Sequence, residues 1–173
     1  GGLAAVELGK PTGARVVACV SSAAKLAFAK KHGADAGIDY SREDLKETLR
    51  KLTDGRGVDV IYDPVGGAYS EAALRGLAWG GRFLVVGFAA GDIPKMPLNL
   101  VLLKNCDIRG VTWGAWAELN LDRYRENSEE LLAWAAAGKL STHVHAVYPL
   151  AEAAAALKTI AARKVMGKVI LRV

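Results

Sequence analysis

Two hydroxyls and one ammonium group stand close together at Ser21, Ser22 and Lys25, inside the run RVVACVSSAAKLAFAKKHGAD. The residues before them read as a buried strand and those after them as a helix, so the serines fall at a strand-to-helix junction. There they present hydroxyls beside the free N–H groups of a helix start, a setting that attracts anions. Lys25, one turn into the helix, reaches back toward the strand end as a point charge for a phosphate. A simpler reading makes Ser21 or Ser22 an N-cap and leaves Lys25 solvated. His143 and His145 fall on one side of a strand at spacing two and suggest a metal pair, but no third ligand is near in sequence. A surface or packing role suits them better, and His32, near a helix end, favours the local dipole. The chain shows no nucleophile motif.

These groups need elements to hold them. Residues 3–10, LAAVELGK, place Leu3 and Val6 on a helical stripe that Pro11 and Gly13 end. A strand follows at 15–20, then a helix at 22–32 closed by Gly33, a short strand at 36–39, and a helix opened by Ser41 with Asp44 three residues on. GVDVIYD, 57–63, is a near-continuous apolar strand, and helix 68–78 leads through WGGR to the strand FLVVG at 83–87. A loop rich in Gly and Pro, the short helix LNLVLLKN and the strand CDIRGVTW at 106–113 come next. An amphipathic helix spans 120–138, HVHAVYPL at 143–150 alternates like a strand, an alanine-rich helix covers 151–163, and GKVILRV closes the chain as an apolar strand. Strands alternating with helices imply parallel pairing through right-handed crossovers. The predicted class is α/β, a doubly wound parallel sheet.

Composition bounds the rest. The 173 residues are 51% apolar and 24% charged, which fits one globular domain with an appendage. A chain of this size buries roughly 70% of its unfolded surface, enough for a core without disulfide or metal staples. Cys19 and Cys106 sit in apolar runs and read as small core residues of a reducing compartment. The excess of five positive charges is dispersed among carboxylates, and Trp79, Trp113, Trp116 and Trp134 are not set among Lys and Arg clusters, which argues against nucleic acid. No apolar run approaches the ~18 residues of a membrane span. A cytoplasmic protein is expected.

In an open parallel sheet a ligand lies across the carboxyl ends of the strands, where strand order reverses. An NAD-preferring unit places an Asp or Glu after its second strand to bond the ribose 2′-hydroxyl, and that carboxylate would repel a 2′-phosphate. Here the position falls at Val20 to Ser22, with no carboxylate until Asp35, and Lys25 stands nearby. The expected cofactor is therefore NADP(H). Gly87 at a strand end permits close backbone approach, and Phe88 and Trp113 offer flat apolar surface to a nicotinamide ring, although either aromatic suits ordinary packing as well. Asp63 and Pro64 with Gly66 and Gly67 read as a structural turn near the adenine side.

The runs LAAVELGKPTGARVVACVSSAAKLAFAKKHGAD, DYSREDLKETLRKLTDGRGVDVIYDPVGG, LAWGGRFLVVGFAAGDIPKMPLNLVLLKN and GKVILRV together resemble the cofactor-binding half of the medium-chain dehydrogenase/reductase superfamily. Within it they are most similar to the zeta-crystallin-like NADPH:quinone oxidoreductase branch. The resemblance implies that Ser21 or Ser22 and Lys25 hold the 2′-phosphate and that Tyr40 lies near the adenosine phosphate. It also implies that Gly87, Phe88 and Ala89, with Trp113 and Gly114 at the end of the following strand, flank the nicotinamide ribose and carboxamide. It further implies a zinc-free enzyme and a homodimer paired through the edge strand 106–113.

The family's glycine fingerprint lies between its first strand and first helix, and only Gly1 and Gly2 stand there in this chain. By the same resemblance the first strand and an upstream GroES-like domain are absent. Residues 1–138 are then a partial NADP(H)-binding Rossmann domain, and 139–173 a segment that packs on the missing catalytic domain. The expected function is the cofactor portion of an NADPH-dependent quinone oxidoreductase, inactive by itself, with a quinone or enone as substrate. A zinc-free enoyl-thioester or alkene reductase and a non-catalytic, crystallin-like NADPH-binding module are the alternatives.

Overall fold

The fold is given by a computed structural model that describes residues 2–162 and 165–173; Gly1 and Arg163, the expected end of the alanine-rich helix, lie outside the described residues. In chain order the elements are α1 (Gly2–Gly9), β1 (Val17–Val20), α2 (Ala23–Lys31), β2 (Ala36–Asp39), α3 (Leu45–Leu52), β3 (Val58–Asp63) and α4 (Tyr69–Arg75). There follow β4 (Leu77–Val85), α5 (Leu98–Lys104), β5 (Asp107–Gly110), α6 (Trp113–Leu119), α7 (Leu121–Ala136), β6 (Val144–Pro149), a 3-10 turn (Leu150–Glu152), α8 (Ala153–Ala161) and β7 (Lys168–Arg172). Every strand pair is parallel, as alternating strands and helices require.

The strands form three hydrogen-bonded groups rather than one sheet: β1 with β2, β3 with β4 and β5, and β6 with β7. Among the described residues no strand lies between β1 and β3. Side chains join the two groups instead. Val17 of β1 and Val58 of β3 both pack on Ile38, Leu45 and Leu49, and the Arg15 guanidinium donates to the Leu52 carbonyl at 2.8 Å. A separate cluster, Val6, Ala18, Ala29 and Ala34, seats α1 and α2 on the β1 side. The largest core gathers Leu74, Leu77, Phe83, Leu100 and Cys106 between β4 and the helices α4 and α5. Full burial of a Leu or Phe side chain contributes roughly 1.5–3 kcal/mol, so this cluster anchors the three-stranded group.

Several local expectations change. Asp44 caps α3 by accepting from the Glu47 amide at 2.8 Å, and Ser41 instead bonds to Asp39. WGGR is part of β4: Val58 pairs with Leu77 but Val60 with Arg82, so Trp79 to Gly81 form a bulge, with Gly80 at φ 72°. The expected strand 106–113 is only Asp107–Gly110, because Trp113 and Gly114 already belong to α6. The helix expected at 120–138 is α7, joined to α6 at Asn120. Cys106 is buried as expected, but Cys19 is exposed on β1, whose neighbour Ala18 takes the inward position. Tyr62 and Val60 of β3 are also exposed, since alternate strand residues face the uncovered side of the sheet. GKVILRV pairs with β6, and a Tyr148 to Thr159 hydroxyl contact of 3.2 Å ties the pair to α8.

Candidate functional site

β1 and β2 run parallel and end together, as do β3 and β4, and Ser21 to Lys25 follow the carboxyl end of β1. Ser22, in extended conformation, caps α2 by accepting from the Lys25 amide at 3.3 Å. Ser21 keeps its hydroxyl free of capping and accepts a hydrogen bond from Lys25 Nζ at 3.1 Å. Ser22 is thus the cap, while Ser21 shares a partly buried ammonium with Lys25. The donor set suits a phosphate, with a cation, a hydroxyl and a helix start converging. Asp35, the next carboxylate in sequence, lies at the opposite end of β1. There it accepts from Val16 N–H and Lys10 Nζ, both at 2.7 Å, and these bonds hold its carboxyl below the usual range.

Tyr40 leaves β2 beside Ser21. Its amide donates to the Val20 carbonyl at 3.0 Å, one register step beyond the Val20 to Asp39 pair. The turn under it is organised by Asp39, which is 4% exposed and accepts from the Ser41 amide at 3.1 Å and hydroxyl at 2.6 Å. Asp63, the last residue of β3, has the same job: one carboxylate oxygen accepts from the Val65 and Gly66 amides, each at 2.9 Å, and the other from Ser70 Oγ at 2.7 Å. This turn delivers Tyr69 at the start of α4, and Tyr69 packs on Tyr40 with ring centroids 4.4 Å apart.

The Asp63 turn also carries the loop after β4. Val86 N–H donates to the Asp63 carbonyl at 2.9 Å, Ala89 N–H to Pro64 at 3.2 Å and Gly67 N–H to Asp92 at 3.1 Å. A Cβ on Gly66 would meet Phe88 Cδ1 at 2.8 Å, and one on Gly87 would touch the Pro64 carbonyl at 3.4 Å. Gly87, Phe88 and Ala89 therefore form one layer with residues 63–67. Gly66, at φ 68°, needs the freedom of glycine for both reasons.

Trp113 and Gly114 are placed differently from the expectation. The end of β5 does meet that of β4, since Val111 N–H donates to the Val85 carbonyl at 2.9 Å. Trp113, however, begins α6, stacks on Trp116 at 5.3 Å and neighbours Tyr124 at 5.8 Å. Its packing is within that helix pair, and a Cβ on Gly114 would meet no atom within 4 Å. Gly2 is the first residue of α1 and likewise meets open space.

Sequence reasoning missed Tyr69 and the organising roles of Asp39 and Asp63. Their signal is the matching pair IDYS and YDPVGGAYS, each an Asp at a strand end with a Tyr and Ser soon after. His143 packs on Phe28 and His32, and the β6 register shifts at His145, so the two histidines do not follow the simple alternation expected of one strand face. Among the described residues no group of three His, Cys, Asp or Glu side chains converges, so they offer a zinc ion no ligand set.

Residues 2–137 match the zinc-binding dehydrogenase family. The chain is 38% identical over 172 residues to the quinone oxidoreductase-like protein 2 homolog of Nematostella vectensis, covering 98% of this chain and 47% of the relative. It is 33% identical to a 2-haloacrylate reductase of Burkholderia sp., covering 92% of this chain and 48% of that protein. The Escherichia coli quinone oxidoreductase complexed with NADPH superposes with a TM-score of 0.88 at 29% identity, over 98% of this chain and 53% of that one. The chain thus spans about half the length of these relatives. It belongs to the zinc-binding dehydrogenase family and, within the medium-chain dehydrogenase/reductase superfamily, to the C-terminal part of the quinone oxidoreductase branch.

Proposed function

We propose that this chain is the NADP(H)-binding portion of an NADPH-dependent quinone oxidoreductase. The observation that carries the reading is the Ser21 and Lys25 pair at the end of β1, 3.1 Å apart, at a position where NAD-preferring units place a carboxylate. Lys25 and Ser21 bind the 2′-phosphate, and the start of α2 adds N–H donors and a favourable dipole. Tyr40 borders the same pocket. Gly87, Phe88 and Ala89, held against the Asp63 turn, form the wall on the nicotinamide side, with the residues after β5, Trp113 and Gly114 among them, beyond. Gly2, opening α1, stands at the pyrophosphate end. When bound, the cofactor's nicotinamide supplies the hydride, and the protein contributes orientation and exclusion of water.

In this reading residues 1–138 hold the cofactor and 139–173 pack on a separate catalytic domain, which covers apolar residues such as Val147, Ile170 and Leu171, all exposed in this chain. β5 is the outer strand of its group, with all four residues exposed, and pairs with a second copy across a two-fold axis. The protein acts on a quinone or enone in the cytoplasm without membrane or nucleic acid; no helix among the described residues is long and apolar enough to cross a membrane. The similarity to a 2-haloacrylate reductase favours, as the second reading, reduction of an activated alkene. The test is oxidation of NADPH and NADH by a full-length protein carrying this chain, with a panel of quinones and enones. Quinone turnover that prefers NADPH supports the proposal, enone turnover alone supports the second reading, and cofactor binding without turnover on either class would favour a crystallin-like module.

A further inference from the structure

We propose that Tyr69 determines nucleotide specificity by positioning Tyr40: its ring holds the Tyr40 ring beside the Ser21 and Lys25 pocket and so sharpens selection for a 2′-phosphate. The inference rests on the phosphate-pocket reading above and deepens it.

The two tyrosines come from turns after strands that are not hydrogen-bonded neighbours, β2 and β3. Each turn is pinned by the aspartate that ends its strand. Asp39 fixes Ser41 through both amide and hydroxyl, and its own amide donates to Glu43 Oε1 at 2.9 Å, so the backbone on either side of Tyr40 is held. Asp63 fixes Val65, Gly66 and Ser70, the last of these one residue beyond Tyr69. With both backbones set, the ring contact at 4.4 Å and an interplanar angle of 40° locks the remaining freedom, rotation of the Tyr40 side chain.

Tyr69 is 44% exposed and belongs to none of the buried core clusters. Its aromatic contact is with Tyr40, whose amide bonds to the Val20 carbonyl immediately before Ser21, which separates it from a tyrosine that serves only packing. Removing it frees the Tyr40 side chain in the unbound chain, and that side chain must then be ordered when a ligand binds, at a cost in affinity. The cost falls on ligands that engage Tyr40 at the 2′-phosphate and spares those that lack the group.

The test is calorimetric titration of the 173-residue chain and its Tyr69 variants with 2′,5′-ADP and with 5′-AMP. Tyr69→Ala and Tyr69→Leu are expected to lose roughly threefold to tenfold in affinity for 2′,5′-ADP, the effect of ordering one side chain, with little change for 5′-AMP. Tyr69→Phe, which keeps the ring, is expected to retain the wild-type ratio, and Tyr69→Leu guards against a fold defect in the alanine variant. Equal losses for both ligands, or an unchanged ratio in the Ala and Leu variants, would overturn the inference while leaving the pocket reading intact. A wild-type chain that does not prefer 2′,5′-ADP would overturn both.

Discussion

The turns after β2 and β3 are stitched internally by Asp39 and Asp63, whereas from Asp107 to Leu140 no residue is buried. Both regions carry aromatic residues. In the first, backbone amides, serine hydroxyls and two buried or partly buried carboxylates fix the chain before any ligand arrives. In the second, α6 and α7 bury nothing, and Trp113, Leu119, Leu121 and Leu132 present large apolar surface. Internal hydrogen bonding marks the region that is organised by this chain alone. The apolar residues of the second region are left in contact with water, so that region owes little of its arrangement to burial within this chain.

The comparison is broken most forcefully by substitutions in the two regions that should have opposite costs. Leu74, fully buried in the largest core, should lose about 2–5 kcal/mol of stability as Leu74→Ala in a denaturant titration. Trp113→Ala, more than half exposed, should stay within about 0.5 kcal/mol in the same assay despite the larger side chain removed. A Trp113 cost like that of Leu74 would mean that α6 is packed more tightly than its exposure shows.

A difference of binding rather than stability comes next. Lys25→Ala should weaken 2′,5′-ADP by roughly tenfold to a hundredfold, the range of a lost charged hydrogen bond, and leave 5′-AMP nearly unchanged. Ser22→Ala removes the α2 cap and should cost about 1 kcal/mol of stability, read by thermal melting, with Ser22→Gly costing less.

The smallest expected effect concerns the far end of β1. Asp35 is held below its ordinary pKa first by the hydrogen bond from Lys10 and then by the Val16 amide. A depressed carboxylate contributes stability above its unfolded pKa and loses that contribution as pH falls through the folded value. The Val16 amide resonance should therefore titrate below the usual carboxylate range, and Lys10→Ala should move its midpoint upward.

The order of the elements was legible because their signals are local. Ser22 before an alanine-rich run, Gly33 after it and the apolar run of β3 each state their structure within a few residues. The bulge at Trp79 to Gly81 was not, because it is set by the register of β4 against β3 rather than by WGGR itself. Trp113 was misplaced on β5 for a related reason. A β-branched and aromatic run, GVTW, reads as strand, but pairing with β4 ends at Gly110, and α6 begins three residues later. The approach of Lys25 to Ser21 was readable from sequence, since the two lie about one helical turn apart. Tyr40 and Tyr69 were not readable as a pair, because 29 residues and two turns separate them.

The central claim is that the Ser21 and Lys25 pair selects a 2′-phosphate. Calorimetric titration of the wild-type 173-residue chain with 2′,5′-ADP and 5′-AMP tests it most directly. The account predicts at least tenfold tighter binding of 2′,5′-ADP, about 1.4 kcal/mol. Equal affinity for the two ligands, or tighter binding of 5′-AMP, would contradict it.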